Sequence, residues 1–222
     1  MADRALWTAF EAEMQDFVPI VHADLGLDDS IEAMARRAVA DAPQSFVLVG
    51  FSMGGYVARE IARSAPERVR ALVLIATSSR ADTPEQARRK AAAAKMLQQP
   101  FKGLSKSSIA ASVHPSRTGD SELVSRIRDM GIRLGRDVFL RQAGLIRTSD
   151  FDRLGEIRCP TLIVAGEQDS IRSLDEAIEL KTGIQNSKLE VVRAAGHMIP
   201  MEQPSAVASL IKAWLHCTLK NP

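Results

Sequence analysis

Ser52 stands in the run Val47-Leu48-Val49-Gly50-Phe51-Ser52-Met53-Gly54-Gly55, a G-x-S-x-G pentapeptide between an apolar stretch and a helix-like segment. This is the sequence form of a nucleophile elbow, a tight strand-to-helix turn that lifts a serine hydroxyl clear of a sheet. The serine of such a turn sits in strained backbone geometry, and side chains at Gly50 and Gly54 are expected to collide with the neighbouring strand and helix. The flanks have the required character. Ser45–Val49 reads SFVLV, which suits a buried strand, and Tyr56–Ala65 reads YVAREIARSA, with apolar positions at helical spacing.

A serine hydroxyl is a poor nucleophile until a base takes its proton and a third group orients the base. The chain offers four histidines. His197 follows Gly196 just after the strand-like Leu189–Val192, on a loop leaving a strand end, where an open α/β sheet gathers its reactive groups. His22 lies in the strand-like Val18–Asp24 segment, His114 precedes a proline, and His216 falls near the end of the last helix; these read as structural or surface imidazoles. For the acid, the apolar run Pro160–Gly166 is followed by Glu167-Gln168-Asp169. Asp169 lies further into the loop and is the better candidate. Glu167 competes by chemistry, and either carboxylate could instead cap the helix expected over Asp175–Leu180.

The elements that must hold these groups alternate. Strand signals at Val18–Asp24, Ser45–Gly50 and Val69–Ala76 interleave with helix signals at Ser30–Asp41 and Met53–Ser64, which predicts a mostly parallel sheet with helices on both faces. The alternation stops between about residues 81 and 149. There the chain reads as helices over Pro84–Gln98, Leu104–Val113, Glu122–Leu134 and Arg136–Ile146, and strands resume at Thr161. Residues 1–80 and 150–222 are therefore expected to form one α/β core, and 81–149 a helical insertion within it.

That insertion carries 13 Lys or Arg against 6 Asp or Glu, a net of +7, which leaves −5 for the rest of the chain. A basic lid could steer an anionic substrate. The same residues read better as the solvated faces of surface helices, which need polar outer faces in any case.

At 222 residues and 45% hydrophobic content, one domain with a sizeable core is expected. With 5% aromatics and no binding motif, nucleic acid is an unsuited partner. No apolar run reaches membrane-spanning length, and Met1–Trp7 lacks the form of a signal peptide, so a cytoplasmic location is expected. Cys159 and Cys217 are too few and too far apart for a disulfide framework or a metal site and read as reduced thiols. Nothing in the chain calls for a metal or a cofactor, and a homo-oligomer stays open.

With these motifs in hand, the chain resembles the α/β-hydrolase superfamily over nearly its whole length. The resemblance rests on Gly50–Gly55, on Ala65-Pro66-Glu67-Arg68-Val69 leading into Leu72–Ile75, on Ile157–Asp169, and on Ala195-Gly196-His197-Met198-Ile199-Pro200-Met201-Glu202-Gln203-Pro204. The order Ser52, Asp169, His197 is that of these hydrolases and not of chymotrypsin-like or subtilisin-like proteases. Within the superfamily it is most similar to small esterases and lactonases, such as 3-oxoadipate enol-lactonases and pimeloyl-ester carboxylesterases. The resemblance implies a parallel sheet, a helical cap at 81–149, and acyl transfer. Dehalogenases of the fold carry aspartate at the elbow where this chain has Ser52.

The implied chemistry is attack by Ser52 on an acyl carbon, proton transfer to His197, and orientation of the imidazole by Asp169, with the Met53 backbone N–H meeting the oxyanion. The family normally supplies a second oxyanion donor from a glycine-containing loop after an early strand. Here Asp3–Trp7 looks like the segment that follows that loop, so the fold is expected to be short at its N-terminus. A strand expected between the Val18 and Ser45 strands would then be lacking, and the sheet must close up, borrow a strand or be less stable. A downstream start site, a natural short form and a partner that fills the gap all fit. Two functions follow: a serine hydrolase of a small carboxylic ester or lactone, and a catalytically impaired or non-catalytic relative. A C–C hydrolase or a cofactor-free perhydrolase could use the same three residues.

Overall fold

The computed structural model describes residues 2–17, 19–95 and 101–219, with side chains throughout except at 89 and 93–95. Its centre is a sheet of four parallel strands in chain order: β1 (Phe46–Phe51), β2 (Val69–Ile75), β3 (Thr161–Gly166) and β4 (Ser187–Val192). The register aligns Phe51 with Ile75, Ile75 with Val164, and Gly166 with Val192, so the strands end close to one level. Every loop leaving that edge is thereby delivered to one end of the sheet.

Period-two alternation sends the strand side chains to two cores. On one face Leu72, Leu74 and Ile163 pack with residues of α2 (Ile31–Asp41), α3 (Met53–Ser64) and α7 (Leu174–Gly183), among them Met34, Val57, Ile61 and Leu180. On the other, Ala71, Val73, Ile75, Leu162 and Val164 meet Phe10 of α1 (Thr8–Glu13) and Val207, Ile211 and Leu215 of α9 (Pro204–Leu219). Leu72, Val73, Leu74 and Ile75 are wholly buried, which for such side chains is worth about 1.5–3 kcal/mol each. Helix starts follow the residue types: Ser30 accepts from the Ala33 N–H at the head of α2, and Ser173 with Glu176 forms a capping box on α7.

Between β2 and β3 the described residues form no strand. They form α4 (Pro84–Lys95), α5 (Lys106–Ala110) and α6 (Ser121–Gly144). Residues 96–98 of the first expected helix lie outside the described residues. The last two expected helices are one run with a break at Gly135 (φ 78°, ψ 177°), a backbone conformation that glycine adopts without penalty. Leu123, Ile127 and Met130 of α6 join Ile109, Val113, Leu6, Met198 and Met201 in a third core, which fastens the insert to the body.

One expected strand does not form. Val18 lies outside the described residues, and from Pro19 to Leu25 the chain is irregular, with Val21 62% exposed. Pro19 has no N–H to give a ladder. Asp24 instead accepts from the Gly26 N–H, and His22 Nε2 sits 2.5 Å from Glu11 Oε1. The segment takes side-chain partners because no described strand lies beside it to supply backbone ones. Among the described residues the sheet accordingly ends at β1, whose residues are mostly half-buried where their β2 neighbours are buried.

Candidate active site

Ser52 follows β1 and precedes α3 with φ 51° and ψ −113°, a left-handed backbone rare for a residue with a side chain. Its N–H donates to Ile75 O, while its own carbonyl accepts from Gly55 N and from Thr77 Oγ1 at 2.7 Å. A Cβ on Gly50 would lie 2.6 Å from Gly54 O, as expected for a tight turn. Gly54 departs from expectation: a Cβ there would meet nothing closer than Leu25 Cδ1 at 3.7 Å, an ordinary contact. The second crowded glycine is Gly55, where a Cβ would fall 2.3 Å from Thr77 Oγ1.

The end of the sheet brings three of the predicted residues together. His197 Nε2 lies 3.0 Å from Ser52 Oγ, and His197 Nδ1 lies 2.8 Å from Asp169 Oδ2. The side chains of His197 and Asp169 are 7% and 1% exposed, while Ser52 is half-buried. Asp169 Oδ1 accepts from the N–H groups of Ile171 and Arg172, at 2.8 and 2.9 Å. A carboxylate held this way accepts, so His197 Nδ1–H donates to it and Nε2 is left to accept from the serine hydroxyl. The Phe51 ring packs 5.1 Å from the imidazole. Met53 opens α3, and its N–H has no acceptor within the helix.

The competing readings separate. Glu167 is exposed and takes the Gln168 side-chain amide. Asp169 does not cap α7, because Ser173 does. His114 binds Ser116, His22 faces Glu11, and His216 is exposed near the end of α9. Cys159 and Cys217 are free. Of the basic residues of the insert, Lys90 and Arg147 pair with Asp82, Arg117 with Asp120 and Arg133 with Asp3. Among the described residues no cluster of three or more metal-ligating side chains occurs, and no helix is long and apolar enough to cross a membrane.

Two residues with no role readable from spacing matter locally. Thr77 braces the serine carbonyl, as above. Glu202, at the end of α8 (Ile199–Glu202), is buried and accepts from the N–H of Gly196 at 2.9 Å and of His114 at 2.6 Å. Burial pushes its carboxyl above the usual range, outweighing the two N–H groups that favour the charged form.

A family model described as the alpha/beta hydrolase fold matches residues 26–204. The chain is 51% identical over 49 residues to a pimeloyl-[acyl-carrier protein] methyl ester esterase of Klebsiella pneumoniae, covering 22% of this chain and 19% of that protein. It is 27% identical over 194 residues to a monoacylglycerol lipase of Xenopus laevis, covering 78% and 55%. In both cases the chain spans less than two thirds of the relative's length. Among solved structures, a thermophilic esterase from Thermogutta terrifontis superposes with a TM-score of 0.82 at 28% identity, over 98% of this chain and 86% of that one. An enol-lactonase from Burkholderia xenovorans shares the fold, with a TM-score of 0.84 at 17% identity over 97% and 87%.

Proposed function

The chain belongs to the alpha/beta hydrolase fold family, and on that premise we propose that it is a serine hydrolase of small carboxylic esters or lactones. The observation that carries this reading is the chain of two hydrogen bonds from Ser52 through His197 to Asp169. Esterase and lipase relatives on the same fold support the substrate class.

In this reaction Ser52 Oγ attacks the acyl carbon as His197 Nε2 takes its proton. Asp169 keeps Nδ1–H in place and stabilises the imidazolium that forms. The tetrahedral oxyanion forms near the Met53 N–H, at the positive end of the α3 dipole. The imidazolium then gives its proton to the leaving alkoxide, and the acyl-enzyme remains. Water attacks that ester, its proton passes to Nε2 and on to Ser52 Oγ, and the acid departs. The helical insert, residues 81–149, is proposed as the cap over this site. Ion pairs with Asp82, Asp120 and Asp3 engage Lys90, Arg147, Arg117 and Arg133 of the insert.

The test is hydrolysis of p-nitrophenyl acetate by the chain and by Ser52→Ala, with circular dichroism on both. Turnover should fall by about four to six orders of magnitude in the variant for a fully competent enzyme, at unchanged fold. Equal rates from two folded proteins would overturn the proposal and favour a non-catalytic relative.

A further inference from the structure

Three backbone segments from distant parts of the chain meet behind the imidazole. The end of β3 touches the histidine loop so closely that a Cβ on Gly166 would fall 2.3 Å from Gly196 O. The histidine loop touches the insert just as closely: a Cβ on Gly196 would fall 2.4 Å from the Val113 carbonyl carbon and 2.6 Å from His114 N. Hydrogen bonds close the ring. Gln168 N donates to Ala195 O, joining the acid loop to the histidine loop. Met198 N donates to Ser112 O, joining the histidine loop to the insert. Ser170 Oγ donates to Ala111 O at 2.8 Å, joining the insert to the acid loop. Residues 111–114 of the insert are thus tied to the immediate neighbours of both Asp169 and His197.

Glu202 sits where this ring needs a counterpart. Gly196 N–H and His114 N–H, one on each side of the closest approach, both point at its carboxylate, and Arg117 Nη1 donates to its backbone carbonyl at 3.1 Å. The Gly196 bond is buried and the His114 bond half-buried, and a buried N–H left without an acceptor costs the desolvation of the group. We infer that Glu202 is a positioning residue: by binding Gly196 and His114 at once it buckles the insert to the histidine loop and sets the place of the imidazole between Ser52 and Asp169.

This rests on the hydrolase reading above. Glu202 touches none of the reacting atoms, so its loss should act on turnover and leave substrate binding alone. A displacement of about 1 Å at a reacting group costs on the order of a hundredfold in rate.

The experiment compares Glu202→Ala, which leaves both N–H groups without an acceptor, and Glu202→Gln, which keeps one oxygen and turns an amide N–H₂ toward the other donor. Active sites are titrated with a fluorophosphonate, so that kcat refers to folded, reactive enzyme. Expected is a kcat lowered about a hundredfold in Glu202→Ala and less in Glu202→Gln, with KM for p-nitrophenyl acetate within about threefold of wild type. The downfield proton resonance of His197 Nδ1–H should shift or broaden in the same order, a readout that needs no turnover. Should Glu202→Ala not fold, Glu202→Gln carries the comparison. Unchanged kcat and an unchanged resonance in a folded variant would overturn the inference, as would a raised KM at unchanged kcat. Ser52→Ala run alongside separates the two readings: if it hydrolyses ester like wild type, the hydrolase proposal fails, and the resonance alone then decides the role of Glu202.

Discussion

Two buried charge clusters flank α3, and they are built to opposite ends. At its head lie Ser52, His197 and Asp169. Two turns on, Arg59, which is wholly buried, places Nε and Nη2 on the two oxygens of Asp150 at 2.9 Å each, sends Nη2 to Ser78 O and Nη1 to Gly55 O, and packs 4.6 Å from the centre of the Tyr56 ring. Arg63 adds a further bond to the same carboxylate at 2.8 Å. Here the donors are spent on fixed acceptors, and a guanidinium cannot release its proton near neutral pH. In the first cluster Ser52 is half-buried, and its hydroxyl lies within hydrogen-bond reach of an imidazole nitrogen that can accept its proton. Burial and pairing are common to both clusters. What separates the cluster proposed to react from the structural one is a proton with somewhere to go.

The contrast is tested first where the effect should be largest. Asp169→Asn should lower kcat about 10⁴-fold, by stabilising the wrong imidazole tautomer, while the thermal midpoint moves little; ester kinetics and calorimetry on one preparation check both. A variant that lost stability and kept its rate would place Asp169 with the structural cluster.

The mirror experiment is Asp150→Ala. It leaves Arg59 charged and buried without its partner, which costs about 3–5 kcal/mol and lowers the melting midpoint by about 10 °C for a chain of this size. The kcat of the remaining folded protein should stay within about threefold of wild type. A large fall in kcat at unchanged stability would contradict the division.

A smaller effect lies on the acid side. Burial alone would raise the Asp150 carboxyl, but the bonds and charges of Arg59 and Arg63 outweigh it and hold it below the usual value. The folded pKa is thus below the unfolded one, so the stability it contributes is present above about pH 4, near the unfolded value, and is lost as pH falls through the folded value. Unfolding in urea across that range should show wild type losing stability more steeply than Asp150→Asn; parallel slopes would remove Asp150 from the acid limb.

The smallest effect is expected at the surface. Arg80 and Glu179 meet at 2.6 Å with side chains 49% and 33% exposed. Glu179→Gln should change stability by less than about 1 kcal/mol and leave kcat alone, as chemical denaturation and ester hydrolysis would record.

The three residues proposed to react were largely legible in the sequence as a group, and the structural cluster was not. Ser52, Asp169 and His197 each follow an apolar run, and strand-end loops of a parallel sheet converge, so chain order sufficed to bring them into one reading. Arg59 and Asp150 are 91 positions apart, and neither carries a mark of its burial. Glu202 was visible only as part of the stretch after His197, because its second partner, His114, comes from the insert. The apolar Val18–Asp24 read as a strand because composition reports what a residue could pair with and not whether a neighbour is present. For the same reason Phe46–Phe51 and Val69–Ile75 look alike in sequence, although among the described residues one stands at the edge of the sheet and the other lies within it. At the elbow the glycine pattern located the turn, but which glycine is crowded depended on Thr77, a residue of a different loop.

The break at Gly135 divides α6 into parts with separate allegiances. The part before it, through Leu123, Ile127 and Met130, is packed with Met198 and Met201 beside the histidine. The part after it leans on the irregular segment that follows α1, where Val138 lies against Gly26 and Arg141 donates to the Gly26 carbonyl. Substitutions in the first part therefore disturb the core packed against the histidine loop, whereas those in the second disturb its contacts with the Gly26 segment.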